Sequence, residues 1–232
     1  MKVPETLLIQ RISLRSIGEE LLLQLNLEKG LGYTLKMLVL APGKAIQEYL
    51  FEDRQRMMRP LPLVLLLTAL ATFISFQFLD LDKSFSEPIE KSVQATGLPP
   101  SLIPLLDLLR RLGKQYFNII LMSSIPAMAL ASYWMFRKAR LYYAEHLVIN
   151  MYLYSVQSCL LLIFLPLISW IPLLVIFVVL GTLSYFVYAF RYIFQISVQE
   201  ATWKAALFLV FSQVIQNVVV TLVAVVIWLF FL

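Results

Sequence analysis

Residues 61–79 run for nineteen positions without a charged side chain, and twelve of the nineteen are Leu, Val, Ile or Phe. Each such residue favours insertion of a helix into a bilayer by about 0.3–0.6 kcal/mol, so the run gains several kcal/mol by leaving water. A hydrocarbon core asks for about 20 apolar residues in a helix. Four further stretches meet that demand, at 116–136 (with Pro126 as a kink), 147–167, 172–194 and 205–232. Composition agrees: 60% of the residues are hydrophobic and 14% charged, with a mean hydropathy of +0.81. Average soluble domains are about 45–50% apolar and about 25% charged. This much apolar surface excludes a disordered polymer, and so little charge excludes the coat of a water-soluble globule. The fold class is therefore an all-α integral membrane protein with about five transmembrane helices.

The chain divides at residue 60. Within 1–60, Leu14, Ile17, Leu21 and Leu25 recur at helical spacing, 31–41 is apolar but too short to cross, and 45–51 suits a further short helix. Pro42-Gly43 reads as a break between the last two. These segments are expected to lie as amphipathic helices at the cytoplasmic face of the membrane or to pack against the ends of the bundle. Residues 61–232 form the membrane domain, with 80–115 as an outer segment. In that segment Leu102, Leu105, Leu106, Leu109 and Leu112 keep a helical period after Pro99-Pro100. Ser169-Trp170-Ile171, between Pro166 and Pro172, reads as a tight hairpin. The charged N-terminus (Glu5, Arg11, Arg15) argues against a cleavable signal.

Nine Lys and Arg precede the first span, three follow the second (Arg137, Lys138, Arg140) and two follow the fourth (Arg191, Lys204). Five fall on the other side: Lys83, Lys91, Arg110, Arg111 and Lys114. The excess of positive charge on cytoplasmic segments predicts a cytoplasmic N-terminus in a multi-pass inner-membrane protein. A pI near 9.3 is then explained by anionic headgroups rather than by nucleic acid, because the basic residues border the spans.

Ionisable side chains near a span centre would mark a site by their cost, and none is found; Glu145, His146, Arg191 and Lys204 fall at predicted ends. Glu145 and His146 open the third span. Together they could move a proton or hold a headgroup or metal, or they are a polar helix start, with the carboxylate favoured by the helix dipole. Adjacent residues lie about 100° apart on a helix, which is not a ready dyad. Neutral polar groups are more abundant: Gln213, Asn217 and Thr221 share one face, with Ser212 and Gln216 beside them, and Asn150, Tyr154 and Gln157 punctuate the third span. Tyr185, Tyr188 and Tyr192 form a stripe in the fourth. Such groups either bond across helices or line a polar intramembrane cavity. Catalytic signatures such as GxSxG, HExxH and a phosphate-binding glycine loop are missing. The single cysteine, Cys159, and single histidine exclude an intramolecular disulfide and a His-rich metal centre, and no cofactor is implied.

Thr34-Leu35-Lys36, Pro42-Gly43-Lys44, Glu48-Tyr49, Arg54, Arg56 and Pro60, leading into a leucine-rich span, resemble an uncharacterised bacterial inner-membrane family of unknown function, common in Bacteroidota. The Ala144–Val148 run is similar to a second motif of that family. Many members carry an N-terminal zinc ribbon, which this chain lacks. The resemblance implies a helical membrane protein and supplies no activity. It marks Lys36, Lys44, Glu48, Tyr49, Arg54, Arg56, Glu145 and His146 as positions of interest.

Three functions are open at this point. The first is a non-enzymatic accessory protein that binds a membrane protein, a second copy or a lipid at its cytoplasmic face. The second is a small transporter or channel subunit with a polar path through Asn150, Gln157, Gln213 and Asn217. The third is a lipid- or prenyl-modifying enzyme using Glu145 and His146.

Overall fold

The computed structural model describes residues 30–78, 99, 101, 103–115 and 117–231. The leucine period at 14–25 and the polar half of the outer segment at 80–98 lie outside the described residues. Every regular element among the described residues is helical: α1 (Leu31–Leu40), α2 (Pro42–Gln47), α3 (Pro60–Phe78), α4 (Ile103–Gln115), α5 (Phe117–Met135), α6 (Tyr143–Trp170), α7 (Val175–Phe194) and α8 (Val198–Phe231).

Four of these helices are long and apolar enough to cross a membrane: α3, α6, α7 and the Val198–Val223 part of α8. The predicted 116–136 crossing corresponds to α5, in which Ile120–Met135 forms a shorter apolar helix. The protein is thus an all-α, multi-pass membrane protein. At 1.5 Å per residue, the 28 residues of α6 span about 42 Å, more than the hydrocarbon thickness, so its ends reach the headgroups or it tilts. The outward faces stay apolar, with Phe73, Ile163, Phe177, Val210 and Leu222 exposed, a surface that lipid covers at no cost and water does not.

α6 is the central element and packs most extensively on α3, then on α5 and α7; α8 packs on α5 and α7. α3 buries Leu63, Val64, Leu67, Thr68, Ala71, Thr72 and Ser75. Small residues in such a stripe let helix backbones approach closely, and Ser75 returns its hydroxyl proton to the Ala71 carbonyl at 2.7 Å. The buried core gathers toward one end, where Leu38, Ile46, Met58, Phe136, Ile149, Tyr152, Phe186, Phe190 and Phe208 meet.

At that end α1 and α2 fold over α7 and α6. Met58, two residues before α3, is pinned at both polar groups: its N–H donates to Thr34 Oγ1 at 2.9 Å and its carbonyl accepts from the Tyr152 hydroxyl at 2.9 Å. Tyr185 and Tyr188 of α7 donate to the carbonyls of Leu38 (3.0 Å) and Leu40 (2.6 Å). Those carbonyls close α1 and have no partner within their own helix. The tyrosine stripe therefore caps a second element.

The expected break between α1 and α2 is present, shifted by one residue: α1 ends at Leu40 and Pro42 is already the first residue of α2, where its missing N–H costs nothing. Ala41 alone makes the corner, and Gly43 is buried against Tyr192, where a Cβ would stand 2.7 Å from the Tyr192 carbonyl oxygen. Because α8 starts at Val198, Lys204 lies in its second turn, 2.7 Å from Glu200 and 4.6 Å from the Phe136 ring centre.

Candidate functional site

The sequence-marked residues fall into three places. The first is the end that α1 and α2 cover. Among the described residues, ten Lys and Arg gather there (Lys36, Lys44, Arg54, Arg56, Arg59, Arg137, Lys138, Arg140, Arg191 and Lys204) against five Asp and Glu (Glu48, Glu52, Asp53, Glu145 and Glu200). Lys36 and Lys44 are exposed. Arg54 folds back to donate to the carbonyls of Tyr49 and Leu50, both at 3.3 Å, closing the π-helical turn Glu48–Glu52. Glu48 is buried and meets the exposed Arg56 at 3.4 Å. Tyr49 sets its ring edge-to-face against Tyr152 at 5.2 Å. Of the first motif, then, Glu48, Tyr49, Arg54 and Arg56 hold the corner together, and Lys36 and Lys44 face outward.

Arg137, Lys138 and Arg140 form the other half of this positive surface. They occupy a single 3₁₀ turn, Arg137–Ala139, and its left-handed cap Arg140 (φ +55°), and all are exposed. No ion pair engages them among the described residues. A shallow apolar cavity of about 190 Å³ lies beside this turn, lined by Leu50, Phe51, Ala139, Leu141, Ile193 and Phe194 among others.

The second place is the start of α6, where Glu145 and His146 separate. Glu145 Oε2 accepts the Tyr142 N–H at 2.7 Å, the half of a capping box that the glutamate supplies, and the Glu145 N–H donates to the Tyr142 main-chain carbonyl at 3.0 Å. His146 turns inward and is fully buried. Its Nδ1 lies 2.9 Å from Ser132 Oγ, its ring stacks on Phe194 at 5.8 Å, and Tyr133 meets it edge-on. Asn150, one turn on, donates to Ser132 Oγ and to the His146 carbonyl, both at 2.7 Å. His146 Nε2 and Asn150 Oδ1 are buried without a hydrogen-bond partner. This is a closed knot between α5 and α6, and Asn150 belongs to it rather than to a path with Gln157.

The third place lies deeper. Gln157 and Gln213 line one cavity of about 190 Å³, with Ser124, Tyr154, Ser212 and Gln216 as further polar walls and Leu121, Met128 and Leu209 as apolar ones. α5, α6 and α8 each contribute to it. Gln213 also donates to Asn217 Oδ1 at 3.2 Å, and Gln216 to the Ile120 carbonyl at 2.9 Å. Asn217 is exposed and is not part of the wall.

Sequence reasoning passed over Ser132 and Ser124. A lone serine in an apolar helix carries no periodic signal, and its role depends on which helix lies opposite. Among the described residues, no three His, Cys, Asp or Glu side chains group as a metal site would require.

A family model described as "Protein of unknown function (DUF3667)" matches residues 28–72. The match spans α1, α2, the turn after them and most of α3, and so contains the first motif; the Ala144–Val148 run lies beyond it. No curated protein and no solved structure matches the chain.

Proposed function

We propose that this protein is a non-enzymatic accessory component of a bacterial inner membrane, with a cytoplasmic N-terminus, that binds anionic lipid headgroups at its basic end. The observation that carries this reading is the exposed Arg137–Lys138–Arg140 turn, without an ion pair among the described residues, beside the Leu50–Phe51 corner and on the end of the bundle where described basic residues are twice as many as acidic ones. Each Lys or Arg near an anionic membrane surface contributes about 1 kcal/mol. The larger number of Lys and Arg at this end of the spans than at the other also favours it as cytoplasmic.

The other readings find less support in the geometry. A lipid-modifying enzyme built on Glu145 and His146 would need the two to act together, yet one is engaged in a helix cap and the other with Ser132. A transporter path would need Asn150 to join Gln157, and Asn150 is engaged in the buried knot.

Native mass spectrometry of protein extracted from mixed phosphatidylglycerol–phosphatidylcholine vesicles tests the proposal. The intact chain should retain phosphatidylglycerol in preference. Replacing Arg137, Lys138 and Arg140 together by Gln should weaken that retention by about tenfold to a hundredfold, the effect of three charges at the surface. Equal retention of the two lipids, or no change in the triple variant, would overturn it.

A further inference from the structure

The cavity between α5, α6 and α8 is a polar chamber at mid-height in a membrane bundle. Gln157 is the fifteenth residue of α6 and Gln213 the sixteenth of α8, about 20 Å along each helix. Polar groups at such depth are kept where they find partners. The serine hydroxyls have found theirs on their own helices: Ser124 donates to Leu121 and Ser212 to Leu209. The glutamines have done so only in part. Gln157 makes no hydrogen bond among the described residues, and each of Gln213 and Gln216 uses one amide N–H, leaving its carbonyl oxygen uncommitted. The chamber thus offers both donors and acceptors, all neutral.

Its surroundings narrow the occupant further. Toward the basic end the bundle is sealed by buried Phe186, Phe190 and Phe208, which bars an aqueous route from that side. Gln213, by contrast, is exposed on the outer face of α8, so entry is lateral, from the lipid. Among the described residues no Lys, Arg, Asp, Glu or His lines the chamber, and an unpaired charge at this depth would be strongly disfavoured. The volume, about 190 Å³, holds about six waters and falls short of the several hundred Å³ of a drug-sized site. It accommodates the polar end of an amphiphile, with the chains left in the bilayer.

We infer that this chamber binds the uncharged polar head of a neutral lipid, a hydroxyl with an adjacent ester of the diacylglycerol type, through the carboxamides of Gln157, Gln213 and Gln216. Photolabelling of the full chain in nanodiscs with a diazirine-bearing diacylglycerol tests this. Label is expected on the peptides of α6 and α8 around Gln157 and Gln213. Unlabelled dioleoylglycerol should compete, and dioleoyl phosphatidic acid should compete at least about tenfold less well, because its charge has no partner there. Gln157→Leu, by loss of one hydrogen-bonded contact, and Ser124→Leu, by filling the cavity, should each lower labelling by about fivefold, whereas lipid-facing Val219→Leu should leave it unchanged. Equal competition by phosphatidic acid, label away from the chamber, or full labelling of both cavity variants would overturn the inference. The competition measurement uses the unaltered protein and decides the matter even where a variant loses its fold.

Discussion

The hydroxyl of Tyr152 and the carbonyl of Met58 meet at 2.9 Å across 94 residues of chain. Tyr152, fully buried within α6, thereby fixes the point at which the corner formed by α1 and α2 enters α3. The opposite face of the same residue is held by Thr34, so two side chains from distant segments hold one backbone position.

Removing either side chain's polar atom should loosen this corner. Tyr152→Phe keeps the ring and leaves a buried carbonyl unpaired, at a cost of about 1–3 kcal/mol. Thr34→Val does the same to the Met58 N–H. Because both act on one residue, the double variant should lose less than the sum of the two. Thermal unfolding of the detergent-solubilised protein, followed for all four members of the cycle, measures this; additive losses would show that the two contacts act independently.

Two glycines should respond oppositely to alanine. At Gly43 the new methyl would stand 2.7 Å from a backbone oxygen of Tyr192, and backbone does not yield as a side chain does. α2 would have to withdraw from α7, and overpacking of this kind costs about 1–3 kcal/mol. At Gly32, in α1, nothing lies within 4 Å of the added Cβ, so alanine gains up to about 1 kcal/mol in helix propensity. Melting temperatures of the two variants, compared side by side, should move in opposite directions.

Glu145 and His146 should prove separable although they are neighbours. His146→Ala empties a fully buried position and removes the imidazole that meets Ser132 Oγ, while the main-chain carbonyl that Asn150 uses remains, a loss of about 2–4 kcal/mol that should lower accumulation in the membrane. Glu145→Ala removes only the half-exposed cap on the Tyr142 N–H, at about 0.5–1 kcal/mol. Expression and melting of the two single variants decide between this and a joint site, which would make their losses similar.

The spans were legible in the sequence because hydrocarbon thickness imposes a length that apolar runs must satisfy; α3, α6, α7 and α8 appear where those runs lie. Their ends were not legible to the same degree. α6 begins at Tyr143 rather than 147 because Glu145 caps it, and α8 begins at Val198 because Lys204 finds Glu200 and Phe136 inside the bundle. Periodicity placed Gln213 and Asn217 on one face, and they do bond to each other. It gave no sign that Gln157 would share a wall with Gln213 while Asn150 turned to Ser132, since a stripe on one helix does not name the helix opposite. The tyrosines of α7 show the same limit: their spacing is visible, whereas the α1 carbonyls they serve exist only once the chain has folded.

The ends of α5 provide the test of orientation. Arg111, just before it in α4, and Lys138, just after it, lie at opposite ends of one apolar helix, and the predicted topology puts Lys138 in the cytosol and Arg111 outside. In a Cys159→Ser background, Arg111→Cys should react with a membrane-impermeant maleimide in intact cells, whose outer membrane has been permeabilised. Lys138→Cys should react only after lysis. The charge balance explains the direction: the Lys138 end carries twice as many basic as acidic residues among those described, and moving such a surface across the membrane is opposed by both the rule for positive charge and the potential. Labelling of Lys138→Cys in intact cells would reverse the orientation and, with it, the assignment of the basic end to the cytoplasmic leaflet. Labelling of both from the same side would show that α5 does not cross.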